Sequence, residues 1–352
     1  MTAKMLAKKT GKTIKCLACS RYCNIAPNAA GFCGVRTNEK GKLKLSVYGK
    51  PCAVWADPIE KKPLFHFLPG TKSFSIGTFG CNFACDFCQN FGMSQAPQEA
   101  RVHDPKNWKV YFQNMLNRCE DWSPERVVDA AVQSGSKSIS FTYNEPTIFT
   151  EYAIDIMKLA RKKGLKGIYV TNGYESKECW NAIKKYIDAV NIDLKAYNKN
   201  FYQKLCKVPD LEPIKESIKY AKKLGIWVEI TTLLIPNLND NENELKEMVK
   251  FLVDIDPEMP WHITAFHPDY KLVDKKPTPP ASLVRAREIG RLTGLHHVYC
   301  GNVGIAYASY ESTLCKRCRK DLITRIGFTV RNNNIIDGKC RFCKENVAGI
   351  WK

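Results

Sequence analysis

Between residues 73 and 301 short apolar runs alternate with stretches of helical period, and this alternation restricts the chain to an α/β architecture. The expected strands are Phe74 to Phe79, Ser138 to Thr142, Gly167 to Thr171, Ala189 to Leu194, Trp227 to Ile235 and His262 to Phe266. A short seventh is expected at His297 to Cys300. Ser123-Pro124-Glu125 opens a helix with an N-cap serine and a proline at the first helical position. That helix ends near Gly135, and a second, Thr150 to Lys163, is closed by Gly164. Residues 176–186, 212–224, 241–253 and 281–293 supply further helices. Strand–helix units imply a parallel sheet. Six of them predict a partial (β/α)6 TIM-like barrel rather than an open doubly wound sheet. Functional residues should then follow the C-terminal ends of strands. The expected divisions are a cysteine-bearing segment with short strands at Lys42 to Tyr48 and Cys52 to Trp55 (1–72), the barrel core (73–301) and a tail (302–352). Residues 95–122 show no clean period and read as an insertion.

Sixteen cysteines fall into three groups and a remainder. Cys81, Cys85 and Cys88 follow the first core strand with C-x3-C-x2-C spacing. Three thiolates can hold three irons of a [4Fe-4S] cluster, which leaves the fourth iron open to a small molecule. The bland alternative is a cysteine-rich loop or part of a zinc site. Cys16, Cys19, Cys23 and Cys33 would suit a tetrahedral zinc knuckle or a second iron–sulfur cluster, with zinc the working expectation. Cys315-x2-Cys318 and Cys340-x2-Cys343 predict a structural zinc ribbon, with a short strand pair such as Gly327 to Arg331 between them. Of Cys52, Cys119, Cys179, Cys206 and Cys300 most read as buried small hydrophobes, with a place near substrate the alternative for Cys119 and Cys300.

Composition bounds the function class. At 352 residues and 44% hydrophobic, the chain can build one large core with appendages. Met1 to Lys15 is basic and has no apolar signal core, and no apolar run of roughly 18 residues occurs. Many cysteines without a signal indicate a reducing, cytoplasmic setting and metal binding rather than disulfides. The formal charge of +19 raises a polyanion such as RNA as a partner, against the plain alternative of a lysine-rich solvated surface. A non-catalytic zinc protein that binds nucleic acid is therefore the rival to an enzyme.

The C-x3-C-x2-C loop resembles that of radical S-adenosylmethionine (SAM) enzymes. The resemblance implies that SAM chelates the open iron and that Phe87 lies near its adenine. One-electron cleavage would then yield methionine and a 5′-deoxyadenosyl radical that abstracts a hydrogen atom, an oxidoreductase-type chemistry needing a low-potential electron donor. Asn144-Glu145-Pro146, after the second strand, stands where the family has a Gly-Gly-Glu type motif, so Glu145 would receive the SAM ammonium. Thr171-Asn172-Gly173 and Asp193-Leu194-Lys195 resemble turns of pyruvate formate-lyase activating enzymes. That match implies SAM or cation contacts from Thr171, Asn172, Asp193 and Lys195, although Val170 replaces the acid that precedes the threonine there. Ile235 would contact adenine, and His267 matches a SAM-side histidine.

Cys16 to Cys23, Gly31 to Arg36, Thr142 to Thr147, Pro260 to His262, Phe266 to Tyr270 and Tyr299 to Val303 resemble the AmmeMemoRadiSam system radical SAM enzymes. This resemblance covers nearly the whole chain. It implies association with Memo-like and AMMECR-like proteins but no settled substrate. The activating-enzyme resemblance suggests a protein or peptide, the charge and the ribbon suggest RNA, and the lack of a long apolar run leaves no membrane expected.

Overall fold

The computed structural model describes Ala3 and residues 5–352. Its centre is an eight-stranded mixed sheet: β1 (Ala53–Pro58), β2 (Lys72–Gly77), β3 (Ser138–Phe141), β4 (Lys166–Thr171), β5 (Ala189–Asp193), β6 (Trp227–Leu234), β7 (Trp261–Ala265) and β8 (Val298–Gly301). The strands lie side by side in chain order. β1 pairs antiparallel with β2, and β2 through β8 are parallel. All seven core strands expected from the sequence are present. Because the order never reverses, the seven parallel strands end at one rim, and the loops that follow them gather there.

Local chemistry sets the crossover helices. Ser123 caps Pro124–Gln133 by accepting from the Arg126 N–H at 3.2 Å, and the helix buries Val127, Val128 and Ala131. Thr150–Ala160 runs through a short 3-10 turn to Gly164, whose φ of 74° closes it. Lys177–Ile183, Glu212–Lys223, Glu242–Ile255 and Pro280–Thr293 match the other expected helices. The stretch read as an aperiodic insertion is also helical, over Ala96–His103 and Trp108–Asn117. The second of these fully buries only Phe112 and Leu116, a stripe too thin to register as a period.

The middle strands have two different faces. Val190, Ile192, Val228, Ile230, Trp261 and Ile263 enter the helix-covered core. Their neighbours Asn191, Asp193, Thr231, Leu233, His262 and Thr264 line a cavity. The period of two thus separates an apolar face from a largely polar one.

The amino-terminal segment forms two small sheets. One contains Ala7–Thr10, Thr13–Cys16 and Asn24–Ile25; the other is the hairpin Arg36–Glu39/Lys42–Leu45. The strand signal at Cys52 to Trp55 belongs instead to the central sheet as β1, so the β1–β2 hairpin spans the division expected at residue 72. In the tail, Asp321–Ile326 pairs with Thr329–Asn333, so Gly327 lies in the turn rather than in a strand. The tail docks through Arg325, which donates to the Phe65 carbonyl at 2.7 Å, and through Ile350, which donates to the His66 carbonyl at 2.7 Å.

Arg36 fastens the amino-terminal segment to the core. It is 1% exposed, pairs with Glu151 through both terminal nitrogens and donates from Nε to the Ile148 carbonyl at 2.8 Å. Arg36→Ala strands the Glu151 charge, so chemical denaturation should register a loss of about 3–5 kcal/mol. Arg36→Met combined with Glu151→Leu removes both charges and should recover most of that loss.

Candidate active site

The loops at the C-terminal ends of the strands enclose a cavity of ≈ 870 Å³, a size suited to a cofactor with a substrate beside it. Cys81, Cys85 and Cys88 all line it. The loop that carries them is pinned like a strand: the Ala84 N–H donates to the Cys206 carbonyl at 3.1 Å and the Asp86 N–H to the Leu205 carbonyl at 2.9 Å. Cys81 and Cys85 are buried and Cys88 is half-buried. The Phe83 N–H lies 3.3 Å from Cys81 Sγ, and Asn172 Nδ2 lies 3.8 Å from it. A hydrogen bond from Cys206 lowers the Cys85 thiol against the pull of burial, and Lys195 adds to the lowering. Burial pushes Cys81 and Cys88 up. Three thiols on one braced loop, facing one cavity, form the donor set that a cluster with one open iron requires.

Of the other expected contacts, Phe87, Thr171, Asn172, Asp193 and Lys195 line the same cavity. Lys195 Nζ is 2.7 Å from Asp193 Oδ2. Burial alone would lower this lysine, but Asp193 and the nearby cysteines outweigh it and keep it charged. Three expected contacts do not reach the wall. Glu145 is fully buried beneath it. Its Oε1 accepts from the Thr147 N–H (3.0 Å), the Thr147 hydroxyl (2.6 Å) and the Thr171 hydroxyl (2.9 Å), and its Oε2 from the Asn172 N–H (2.8 Å). Ile235 turns away because β6 ends at Leu234 and Asn239 captures the Ile235 N–H at 2.6 Å; Leu233 lines the cavity instead. His267 is exposed at the rim, 3.1 Å from Gln89, which does line the cavity. Cys300 lines the cavity and Cys119 does not.

Several residues escaped the sequence reading. Glu175 sits beside Glu145 and shares its Thr147 and Thr171 hydroxyls, at 3.0 and 2.5 Å. Its only sequence signal is its place just after the Thr171-Asn172-Gly173 turn. Lys62 and Tyr143 line the cavity, and both meet Asp57 Oδ2 at 2.6 Å. Burial lowers Lys62 to about 8 despite that partner. His262 also lines the cavity, and its Nε2 is 2.7 Å from Glu229 Oε2. Glu229 also accepts the Phe65 and His66 N–H groups. Asn191 Oδ1, Thr231 Oγ1 and Glu60 Oε2, from residues that line the cavity, are buried without a hydrogen-bond partner in the protein.

Among the described residues, Cys315, Cys318, Cys340 and Cys343 bring their sulfurs within 4.8 Å of one another and could hold a metal ion. Among the described residues no helix is long and apolar enough to cross a membrane.

Burial, and next the charge of Glu145, raise Glu175 to about 8. An unfolded glutamate titrates at about 4.3. The folded chain therefore keeps a proton that the unfolded chain has released between those two values, and stability falls as pH rises through that window. Urea midpoints measured at about pH 6 and about pH 9 should drop with pH in the parent chain and drop less in Glu175→Gln, which is neutral at both.

Comparison with known proteins matches this geometry to a family. The Radical SAM superfamily profile fits residues 75–252, from inside β2 into the helix after β6. An uncharacterized protein of Methanocaldococcus jannaschii is 41% identical over 337 residues, 95% of each chain. A second protein of that organism, named as a candidate glycyl-radical enzyme activating enzyme, is 28% identical over 234 residues, 65% of this chain and 81% of that one. The pyruvate formate-lyase-activating enzyme of Clostridium pasteurianum is 21% identical over 176 residues, 50% of this chain and 67% of that one. A thiol triad at the rim of a chain-ordered parallel sheet, inside the matched span, is in keeping with that profile, and the chain belongs to the Radical SAM superfamily.

Proposed function

We propose that the chain cleaves SAM reductively at a [4Fe-4S] cluster held by Cys81, Cys85 and Cys88, and uses the product to take a hydrogen atom from a substrate in the same cavity. The observation that carries this reading is the joint lining of one cavity by the three thiols and by Thr171, Asn172, Asp193 and Lys195. When bound, the cluster and SAM supply a one-electron cleavage of the sulfonium that yields methionine and a deoxyadenosyl fragment able to abstract hydrogen. The protein's part is positioning and exclusion of water. Asn172 hydrogen-bonds toward Cys81 and tunes that sulfur. Asp193 and Lys195 form an ion pair that can meet the charged amino-acid end of SAM, and Phe87 offers its ring to the adenine. Asn144, rather than Glu145, lines the cavity after β3, and its amide braces that loop against Thr78 and the Gly80 carbonyl. Glu145 instead orients the Asn172 N–H and the Thr171 hydroxyl from beneath.

The finer family reading is an AmmeMemoRadiSam system enzyme, related to pyruvate formate-lyase activating enzymes, on a partial (β/α) barrel. Support for the barrel comes from the polar side chains that β5–β7 turn toward a cavity instead of toward helices. The unpartnered Asn191, Thr231 and Glu60 atoms mark the substrate end as polar. They suit a hydrogen-bonding part of a protein, peptide or RNA substrate. In this reading a low-potential donor in the cytoplasm supplies the electron, and Memo-like and AMMECR-like proteins are the candidate partners. The tail cysteines would hold zinc as a ribbon: their cross pairs lie 3.6 and 3.8 Å apart, and a tetrahedral site with bonds of about 2.3 Å sets sulfurs about 3.8 Å apart.

Anaerobic reconstitution should yield a cluster that, once reduced, converts SAM to 5′-deoxyadenosine, and Cys85→Ala should abolish that product. Zinc in place of iron at the triad would favour the non-catalytic nucleic-acid-binding reading and overturn this one. Asn172→Ala should keep the iron but slow SAM cleavage by about 10- to 100-fold. Cys340→Ser should lower the zinc content by about one ion per chain while the triad keeps its iron.

A further inference from the structure

Cys16, Cys19, Cys23 and Cys33 line a second, smaller cavity together with Arg21, Arg36, Asn82 and Ile148. Three of the four cysteines are buried and Cys23 is half-buried. The sequence left zinc and an iron–sulfur cluster open here, with zinc the expectation. The spacing of the sulfurs separates the two. A single ion draws its thiolates to about 3.8 Å from one another. The tail cysteines have that spacing, with all four sulfurs within 4.8 Å. Among the described residues no three sulfurs of the amino-terminal set come that close, although all four face one cavity. A four-iron cluster puts each thiolate on its own iron and so needs them farther apart.

The backbone holds this wider set in place. The Cys16 N–H donates to the Cys23 carbonyl at 2.9 Å. Cys19 forms an antiparallel bridge with Glu175. Arg101 donates to the Gly31 and Phe32 carbonyls just before Cys33. Arg21 and Arg36 bring guanidinium charge to the cavity wall, which suits a centre left negative by four thiolates.

The cavity also backs onto the catalytic loop. Gly80 has a φ of 93°, and a Cβ there would lie 2.6 Å from the Cys33 carbonyl oxygen, so the two backbones touch immediately before Cys81. Asn82, immediately after Cys81, lines the second cavity and accepts from Asn172 at 2.7 Å.

We infer that Cys16, Cys19, Cys23 and Cys33 hold a closed [4Fe-4S] cluster, in place of zinc, that relays electrons to the cluster at Cys81, Cys85 and Cys88. A low-potential one-electron donor protein reduces the amino-terminal cluster by one electron. That cluster passes the electron to its neighbour and returns to its oxidised state, with no bond or proton changed. The relay rests on the proposed catalytic cluster; the metal assignment does not.

The test uses the full chain with Cys81, Cys85 and Cys88 all changed to Ala, purified and reconstituted anaerobically with iron and sulfide. This variant should keep about four irons per chain and give, when reduced, an electron-spin resonance signal that SAM leaves unshifted, since all four irons are closed by protein. Loss of that iron, with zinc rising to about two per chain or with no second metal at all, would overturn the assignment. The parent chain should carry about eight irons and one zinc, against about four irons and two zincs if the site takes zinc. If only the catalytic reading fails, the parent and the triple variant will hold the same four irons. In the fully reduced parent, magnetic coupling between adjacent clusters should broaden the signals. A parent spectrum equal to the sum of two isolated clusters would overturn the relay.

Discussion

Two carboxylates buried side by side, Glu145 and Glu175, organise the ground beneath the candidate site. Neither can hold a full charge there without cost, since burial and mutual repulsion both favour a shared proton. Four hydrogen bonds to Glu145, two of them from hydroxyls it shares with Glu175, ease that conflict, and Glu175 Oε2 is left buried without a partner. The same bonds lock together the loop after β3 and the turn after β4. Through Asn172 the network reaches Cys81, and through the backbone of Glu175 it reaches Cys19. One buried polar knot therefore sets the relative positions of the Cys81–Cys88 loop, the candidate SAM contacts and the amino-terminal cysteines.

The cavity above the knot arises from a division of labour within the sheet. On β5 through β7 the outward residues are apolar apart from Thr232 and pack under helices, while most of the inward ones carry hydroxyl, amide, imidazole or carboxylate groups. A core that packed both faces would use apolar residues on both. The polar inner face, with unpartnered atoms on residues that line it, makes room for a ligand that completes the hydrogen bonds. The tail helps to close this space, since Gly327 and Phe328 of its hairpin turn line the cavity.

Much of this was legible in the chain. The seven parallel strands, the Ser123 cap, the Gly164 stop and the triad after the first core strand all depend on local propensity and spacing. The two helices between Ala96 and Asn117 were not legible, because a few buried side chains are enough once the rest of the protein covers them. β1 was seen as a strand, but its partner was not, because hydrogen-bond pairing at a sheet edge leaves no trace in a short run of residues. Glu145 was read as a ligand contact. A carboxylate at a strand end can point up to a ligand or down to hydroxyls, and the nearby Thr147 and Thr171 draw it down.

The sequence by itself determined the chemistry on offer: a three-thiolate loop, two sets of four cysteines and a chain-ordered α/β core, because cysteine spacing and hydrophobic period are local properties. Only the tertiary structure decided how those parts act on one another. It drew the tail sulfurs to single-ion distance and kept the amino-terminal ones apart. It set Cys33 against Gly80 and hid Glu145 beneath the wall that Asn172 lines. These outcomes depend on contacts between residues far apart in the chain, where packing and the cost of burying charge select one arrangement from the many that the same motifs allow.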